Sequence, residues 1–293
     1  MKQMKDSIIP PITTPIVDGE ISQRHLKSNI EKWNKTRLGG YLVLGSTGEA
    51  PLLSYEEKIR VIAAAREATP PGKVLVAGTG EESTRKTIEL TRKAAELGAE
   101  VALVGNPHYF KAQLTMDCLY DHYVALADAS PIPVIPYNSP GFTGINMTPD
   151  LIGRLSRHPN VVGVKDGTGN VVQLAGFRRL GGPDFLIFSG NAPSFLAALF
   201  VGISGGMMPI TNLYPDLWVD LLEHYRTGAL EDARRLEARL LPMTATVMKY
   251  GVGGMKVGLD ILGFYGGSPL MPLKAPQPEA VEEIRAAMEK VAA

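Results

Sequence analysis

Eight short apolar runs recur along this chain of 293 residues, and a longer amphipathic stretch follows each of them. Such regular alternation of strand and helix patterns is typical of a parallel α/β sheet. Eight units predict a closed (β/α)8 barrel of the TIM type, although a doubly wound sheet shows the same alternation. The runs are Ile8 to Ile16, Gly40 to Gly45, Val74 to Gly78, Val101 to Val104, Pro133 to Tyr137, Val161 to Lys165, Leu186 to Ser189 and Gly205 to Met208.

The sequence after the eighth run keeps a helical pattern up to its end. The predicted helices are Leu217 to Tyr225, Leu230 to Met248, Met255 to Leu262 and Pro278 to Val291. The glycine-rich stretch Gly251 to Gly254 and the turn-rich stretch Tyr265 to Pro276 are predicted to interrupt them. We therefore expect a barrel over residues 1–225 and a C-terminal helical extension over residues 226–293 that packs on it. No linker long enough to separate an independent domain is evident.

Thirty basic and thirty acidic side chains give a net charge of zero, and no lysine-arginine block breaks the balance. This pattern indicates neither a nucleic-acid partner nor an anionic membrane surface, so a small molecule is the expected partner. The stretch Phe195 to Ile210 contains three glycines and favours a buried helix followed by a strand over a membrane span. The first residues, Met1 to Asp6, lack the apolar core of a signal peptide, which predicts a cytoplasmic protein.

Cys118 is the only cysteine, so an internal disulfide and a paired-cysteine metal or redox site are excluded. Its helical surroundings predict a buried, inert thiol. The histidines do not form a spaced set of metal ligands and are expected to have surface or packing roles. They are His25, His108, His122, His158 and His224. No metal or cofactor is expected.

Functional groups of a β/α barrel lie at the C-terminal ends of its strands. The sixth run is apolar from Val161 to Val164 and ends in Lys165. Burial favours the neutral amine that imine formation needs, although a lysine at such a place is also often solvated. Tyr137 ends the fifth run, and a tyrosine at the end of a strand can have either a packing or a catalytic role. Gly45 to Glu49, after the second run, suits either an anion-binding turn or a cap for the next helix.

Together these residues resemble the dihydrodipicolinate synthase and N-acetylneuraminate lyase family of pyruvate-dependent barrel enzymes. The resemblance rests on Gly45-Ser46-Thr47-Gly48-Glu49, Tyr137-Asn138-Ser139-Pro140 and Gly163-Val164-Lys165-Asp166, in that order. It implies that Lys165 forms an imine with pyruvate or another 2-oxo acid and that Tyr137 transfers protons. It also implies a homotetramer built as a dimer of dimers.

The resemblance assigns further residues to the site. Ser46 and Thr47, with Gly48, correspond to the pocket for the pyruvate carboxylate, and a hydroxyl of Ser46 or Thr47 links Tyr137 to Tyr109 in a hydroxyl relay. Tyr109 resembles a tyrosine that crosses a dimer interface. Met207 is typical of barrel filling, and the resemblance adds the backbone there and Gly190 to the pyruvate pocket.

The expected reaction is cleavage of a 4-hydroxy-2-oxo acid to pyruvate and a small aldehyde, since the chain is most similar to 4-hydroxy-2-oxoglutarate aldolases within the family. The first alternative is the condensing reaction of dihydrodipicolinate synthase. Phe142 weakens this first alternative, because the lysine-biosynthesis enzymes of the family resemble one another in having an arginine at the corresponding position. The second alternative, from another class, is a barrel that senses a 2-oxo acid without turnover.

Overall fold

The computed structural model describes residues 2–292, and its centre is an eight-stranded parallel sheet. Consecutive strands are neighbours from β2 to β8, and β1 pairs with β8. The predicted (β/α)8 fold is confirmed. The strands are β1 (Ser7–Ile8), β2 (Gly40–Val43), β3 (Val74–Gly78), β4 (Val101–Gly105), β5 (Val134–Asn138), β6 (Gly163–Asp166), β7 (Leu186–Ser189) and β8 (Gly205–Gly206).

The barrel closes between β2 and the residues that follow β1. The Ile12 N–H donates to the Leu42 carbonyl at 2.9 Å, and the Leu42 N–H donates to the Pro10 carbonyl at 2.9 Å. The first run, Ile8 to Ile16, is predicted as one strand, and this is wrong. Pro10 and Pro11 lack the N–H groups of a regular ladder, so the strand β1 covers only Ser7–Ile8, and Ile16 belongs to a separate short hairpin with Glu20–Ile21.

Twelve helices lie on or beside the sheet within the described residues. They are α1 (Gln23–Trp33), α2 (Tyr55–Ala68), α3 (Thr84–Glu96), α4 (Met116–Ala129), α5 (Pro140–Thr143), α6 (Pro149–Leu155), α7 (Val171–Gly181), α8 (Phe195–Leu199), α9 (Pro215–Thr227), α10 (Leu230–Lys249), α11 (Gly251–Ile261) and α12 (Pro278–Ala292). Ser54 and Glu57 form a capping box that fixes the start of α2. None of these helices is long and apolar enough to cross a membrane.

Side chains alternate between the barrel interior and the layer under the helices, as the period of a strand requires. The interior is filled by Met4, Ile9, Leu42, Val74, Val76, Val101, Leu103, Ile135, Leu186, Phe188 and Met207. The alternate residues of the strands, such as Val104 on β4 and Ile187 on β7, pack in the outer core. This alternation places Tyr137 on β5 and Lys165 on β6 on the inner face at the C-terminal ends of their strands.

The C-terminal helices pack on one another and on the barrel helices. α10 lies against α9 and α12, and α11 contacts α12. The predicted interruption lies at Tyr250 and not over Gly251 to Gly254, because α10 ends at Lys249 and α11 begins at Gly251. A Cβ on Gly253 would lie 2.9 Å from Pro276 Cδ, so this glycine allows the segment before α12 to lie close to α11. The partition at residue 225 stays a prediction.

Cys118 differs from its prediction, since its side chain is exposed. It is in the first turn of α4, where the N-cap hydroxyl of Thr115 accepts its N–H at 3.2 Å. The buried face of this helix instead has Leu119, Tyr123 and Leu126. The predicted helix is confirmed, but Cys118 lies on its solvent face.

Candidate active site

Lys165 and Tyr137 are direct neighbours in the register of β5 and β6. The Lys165 Nζ lies 4.1 Å from the centroid of the Tyr137 ring. Both side chains start in the barrel interior and reach its C-terminal mouth. An amine and a phenol therefore meet at the place where barrel enzymes bind their substrates.

Lys165 is 3% exposed, and no carboxylate within residues 2–292 lies within 4.0 Å of its ammonium. Burial without a compensating charge disfavours the protonated form. The pKa of Lys165 is lowered to about 7 for this reason. A large fraction of the side chain is thus a neutral, nucleophilic amine at neutral pH.

Tyr137 has the opposite shift. Burial raises the pKa of its phenol to about 12, and the Ser46 and Ser139 hydroxyls beside it oppose this rise. The neutral phenol is therefore the stable form near neutral pH and can donate a proton. Ser46 connects this phenol to the loop after β2.

That loop is one turn of 3-10 helix over Ser46–Gly48. Thr47 and Gly48 are buried, and the Thr14 hydroxyl donates to the Gly48 carbonyl at 2.7 Å. A Cβ on Gly48 would lie 3.1 Å from the Ile12 carbonyl oxygen, so the glycine lets the turn pack against the segment that follows β1. The small residues of this motif thus place two hydroxyl groups next to the barrel mouth.

Glu49 ends the loop in the left-handed region, with φ of 59°, and its side chain is fully buried. Its Oε1 lies 2.6 Å from Nζ of Lys256 on α11, and its Oε2 accepts the Leu270 N–H at 2.6 Å. Lys256 also donates to the Ser268 carbonyl at 2.8 Å. This pair joins the loop to the C-terminal helices. Sequence reasoning missed it, because the motif gave Glu49 no partner.

A second polar group lies behind the strands. Asn138 Nδ2 donates to the Asp166 carboxylate at 2.7 Å, and Gln173 Nε2 donates to the same oxygen at 2.8 Å. Asn138 and Asp166 follow Tyr137 and Lys165, so alternation turns them away from the cavity. They fix the ends of β5 and β6 from outside. A polar residue at an outward and buried strand position is the signal that would have found them.

One cavity of about 650 Å³ brings five of the predicted residues together, namely Ser46, Thr47, Tyr137, Phe142 and Lys165. Gly190 lies beside the lysine stem, since a Cβ there would be 3.2 Å from Lys165 Cε. Met207 is fully buried among the residues that fill the barrel. The remainder of the cavity wall is mainly apolar and includes residues of α10, α11 and the segment before α12.

Tyr109 does not line this cavity. Its ring is 78% exposed and packs edge-on against Phe110, with centroids 5.1 Å apart. The Tyr109 and His108 N–H groups donate to Glu82 Oε2 at 2.9 and 3.0 Å, which fixes the loop. A single chain therefore presents Tyr109 outward, away from Tyr137.

The model of the dihydrodipicolinate synthetase family matches residues 3–291. The chain belongs to this family. The resemblance drawn from the three sequence motifs is thus confirmed. Relatives of this chain within the family are named as synthases and as an aldolase. This chain is accordingly a lyase of the aldolase type. A sensor without turnover is not supported.

Relatives with different names are similar to most of this chain. A 4-hydroxy-tetrahydrodipicolinate synthase of Syntrophus aciditrophicus is 33% identical over 282 residues, which cover 96% of both chains. A protein of Emericella nidulans named as a mitochondrial 4-hydroxy-2-oxoglutarate aldolase is 36% identical over 258 residues, which cover 86% of this chain and 84% of the relative. The dihydrodipicolinate synthase of Acinetobacter baumannii, solved in complex with pyruvate, superposes with a TM-score of 0.92 at 28% identity and covers 99% of both chains.

Among residues 2–292, no group of three or more histidine, cysteine, aspartate or glutamate side chains is arranged to hold a metal ion. At the inner end of the cavity, Lys165, Tyr137, Ser46 and Thr47 provide an amine, a phenol and two small hydroxyl groups. These groups are suited to carbonyl addition and proton transfer.

Proposed function

We propose that this enzyme cleaves a 4-hydroxy-2-oxo acid to pyruvate and an aldehyde through an imine on Lys165. The observation that carries the proposal is the buried Lys165 amine, with its pKa of about 7, 4.1 Å from the Tyr137 ring at the barrel mouth. The aldolase relative supports the reaction class.

The proposed reaction starts when the neutral Lys165 amine attacks the 2-oxo carbon to give a carbinolamine. Loss of water then gives a protonated imine, with Tyr137 moving the protons. The Tyr137 phenolate left by this dehydration takes the proton of the 4-hydroxyl, the bond between C3 and C4 breaks, and the aldehyde leaves. The bonding electrons pass into an enamine, which takes up a proton at C3. Water returns in the hydrolysis that releases pyruvate and the amine.

Ser46 and Thr47 are proposed to bind the carboxylate of the 2-oxo acid. They lie on one turn at the wall of the cavity, and Ser46 also lies beside the Tyr137 phenol. Gly48 leaves room for the turn, and Gly190 leaves room for the lysine stem. We propose that the backbone of Met207 forms part of the pyruvate pocket. Hydroxyl donors of this kind orient a carboxylate without adding a second cation beside Lys165.

Tyr109 is proposed to act from a neighbouring subunit of a homotetramer built as a dimer of dimers. Its exposure in the single chain and the anchoring of its loop by Glu82 are consistent with a side chain that completes another copy's site. The cytoplasmic location stays a prediction.

The second candidate is condensation of pyruvate with aspartate semialdehyde, as in dihydrodipicolinate synthase, and the names of several relatives favour it. Both reactions share the enamine. We expect this second activity to be weak, because Phe142 offers no charge to the carboxylate of the semialdehyde. A Phe142→Arg variant is expected to gain it.

Borohydride trapping tests the proposed imine. Incubation with pyruvate and borohydride should add a reduced adduct to the peptide that contains Lys165, as mass mapping would show. Lys249→Met is the matched control, since Lys249 pairs with Glu283 at the surface outside the cavity, and the Lys165 adduct should persist in it. An adduct on another lysine, or none, would contradict the proposal.

A further inference from the structure

The cavity above Lys165 has two chemically different ends. Ser46, Thr47 and Tyr137 surround the amine with hydroxyl groups, whereas the outer end is apolar. Four large apolar side chains that are 38–71% exposed line this outer end, namely Leu52, Phe142, Met248 and Leu273. Exposed apolar groups gathered around one opening indicate a surface that is covered by a ligand.

Cations are scarce along the same wall. Apart from Lys165, the lysines and histidines that line the cavity in the described chain are His108 and Lys274, and no arginine lines it. His108 Nδ1 lies 2.8 Å from Glu82 Oε1, so the His108 ring already has a carboxylate of the protein as its partner. Lys274 is exposed on the segment before α12, where its ammonium remains hydrated.

We infer that the part of the substrate beyond C4 is an uncharged apolar group, such as an alkyl chain or an aromatic ring. This inference rests on the proposed function and narrows it to a class of aldehyde. A carboxylate at this position would lose water against Phe142, Leu52 and Leu273 without gaining a counterion, and this disfavours its binding. An alkyl or phenyl group would instead remove the same side chains from water.

The test compares pyruvate release from three substrates by the full-length enzyme. They are 4-hydroxy-2-oxohexanoate, 4-hydroxy-2-oxo-4-phenylbutanoate and 4-hydroxy-2-oxoglutarate, which differ in the group that meets the apolar wall. We expect kcat/KM for the better of the two apolar substrates to exceed that for 4-hydroxy-2-oxoglutarate about tenfold. A ratio of one or below would overturn the inference.

Two variants make the comparison specific. Phe142→Arg places a guanidinium at the wall and should shift the ratio about a hundredfold toward 4-hydroxy-2-oxoglutarate. Phe200→Arg is the control, because Phe200 is also an exposed phenylalanine but packs against Tyr225 outside the cavity, and it should leave the ratio unchanged. Equal shifts in both variants would contradict the role of Phe142.

Lys274→Met addresses the remaining cation. If Lys274 binds a substrate carboxylate, this variant will lose activity on 4-hydroxy-2-oxoglutarate alone, and that result would overturn the inference. Failure of the apolar preference is distinguishable from failure of the proposed function. Borohydride trapping with pyruvate reports the imine on Lys165 whichever aldehyde the enzyme accepts.

Discussion

The Lys256 ammonium lies 2.6 Å from the Glu49 carboxylate, and both side chains are shielded from water. Burial lowers the pKa of Lys256, and the nearby Glu49 charge opposes this shift. Glu49 directly follows the turn that includes Ser46 and Thr47, whereas Lys256 is on α11. One ion pair therefore fixes the position of the turn relative to the C-terminal helices.

Lys256→Met should destabilise the protein by about 3–5 kcal/mol, because it leaves the Glu49 carboxylate buried without its counterion. Lys249→Met is the control, since Lys249 pairs with Glu283 at the surface, where water screens the pair, and its loss should change the free energy of unfolding far less. The free energy of unfolding in denaturant measures both. The double variant with Glu49→Gln should recover part of the loss. Similar costs for the two lysine variants would argue against the importance of burial.

Lys165→Met should abolish turnover and stabilise the protein at neutral pH by about 1–3 kcal/mol. The pKa of Lys165 is lowered from 10.5 to about 7 in the folded state, so the unfolded chain binds the proton more tightly. The free-energy cost of burying Lys165 is greatest below about pH 7 and disappears as the pH rises toward 10.5. Denaturant unfolding at several pH values should show the two proteins converging over this range. A pH-independent difference would refute the lowered pKa.

Tyr137→Phe should lower the turnover number by about a hundredfold or more while the fold is retained. The ring still fills the space beside Lys165, but the phenol that transfers protons is absent. Steady-state pyruvate release provides the measurement. Tyr225→Phe, which removes a hydroxyl bonded to the Leu199 carbonyl outside the cavity, should have little effect on turnover. An unchanged rate in Tyr137→Phe would remove this residue from the mechanism.

Gly190→Ala should reduce activity about tenfold or more with only a modest change in stability. The added Cβ would lie 3.2 Å from Lys165 Cε and 3.1 Å from the Asp166 carbonyl oxygen, so the lysine stem must shift. Gly141→Ala is the matched control, because a Cβ there meets nothing within 4 Å. The rate of borohydride trapping with pyruvate should fall only for Gly190→Ala. Equal rates in the two variants would show that the lysine tolerates the displacement.

Periodicity explains why part of the site is predictable from sequence. An apolar run that ends in Lys165 specifies both the strand and the inner face of the barrel mouth, and the same holds for Tyr137. The partner of Glu49 is not predictable in this way. A buried carboxylate and a lysine on a distant helix meet only through the packing of α11 on the barrel, and no local pattern encodes that contact. The exposure of Cys118 likewise depends on which face of α4 packs inward.

Part of the apolar wall comes from outside the barrel that provides the reacting amine. The barrel strands provide Lys165 and Tyr137, whereas Met248, Val252 and Leu273 belong to helices and loops added after the barrel. Replacements in this added segment can therefore alter which aldehyde is accepted while the amine keeps its burial and its partner. Such a division favours the evolution of new selectivity on an unchanged reaction, and it marks Met248, Val252 and Leu273 as the positions to randomise in a directed-evolution library.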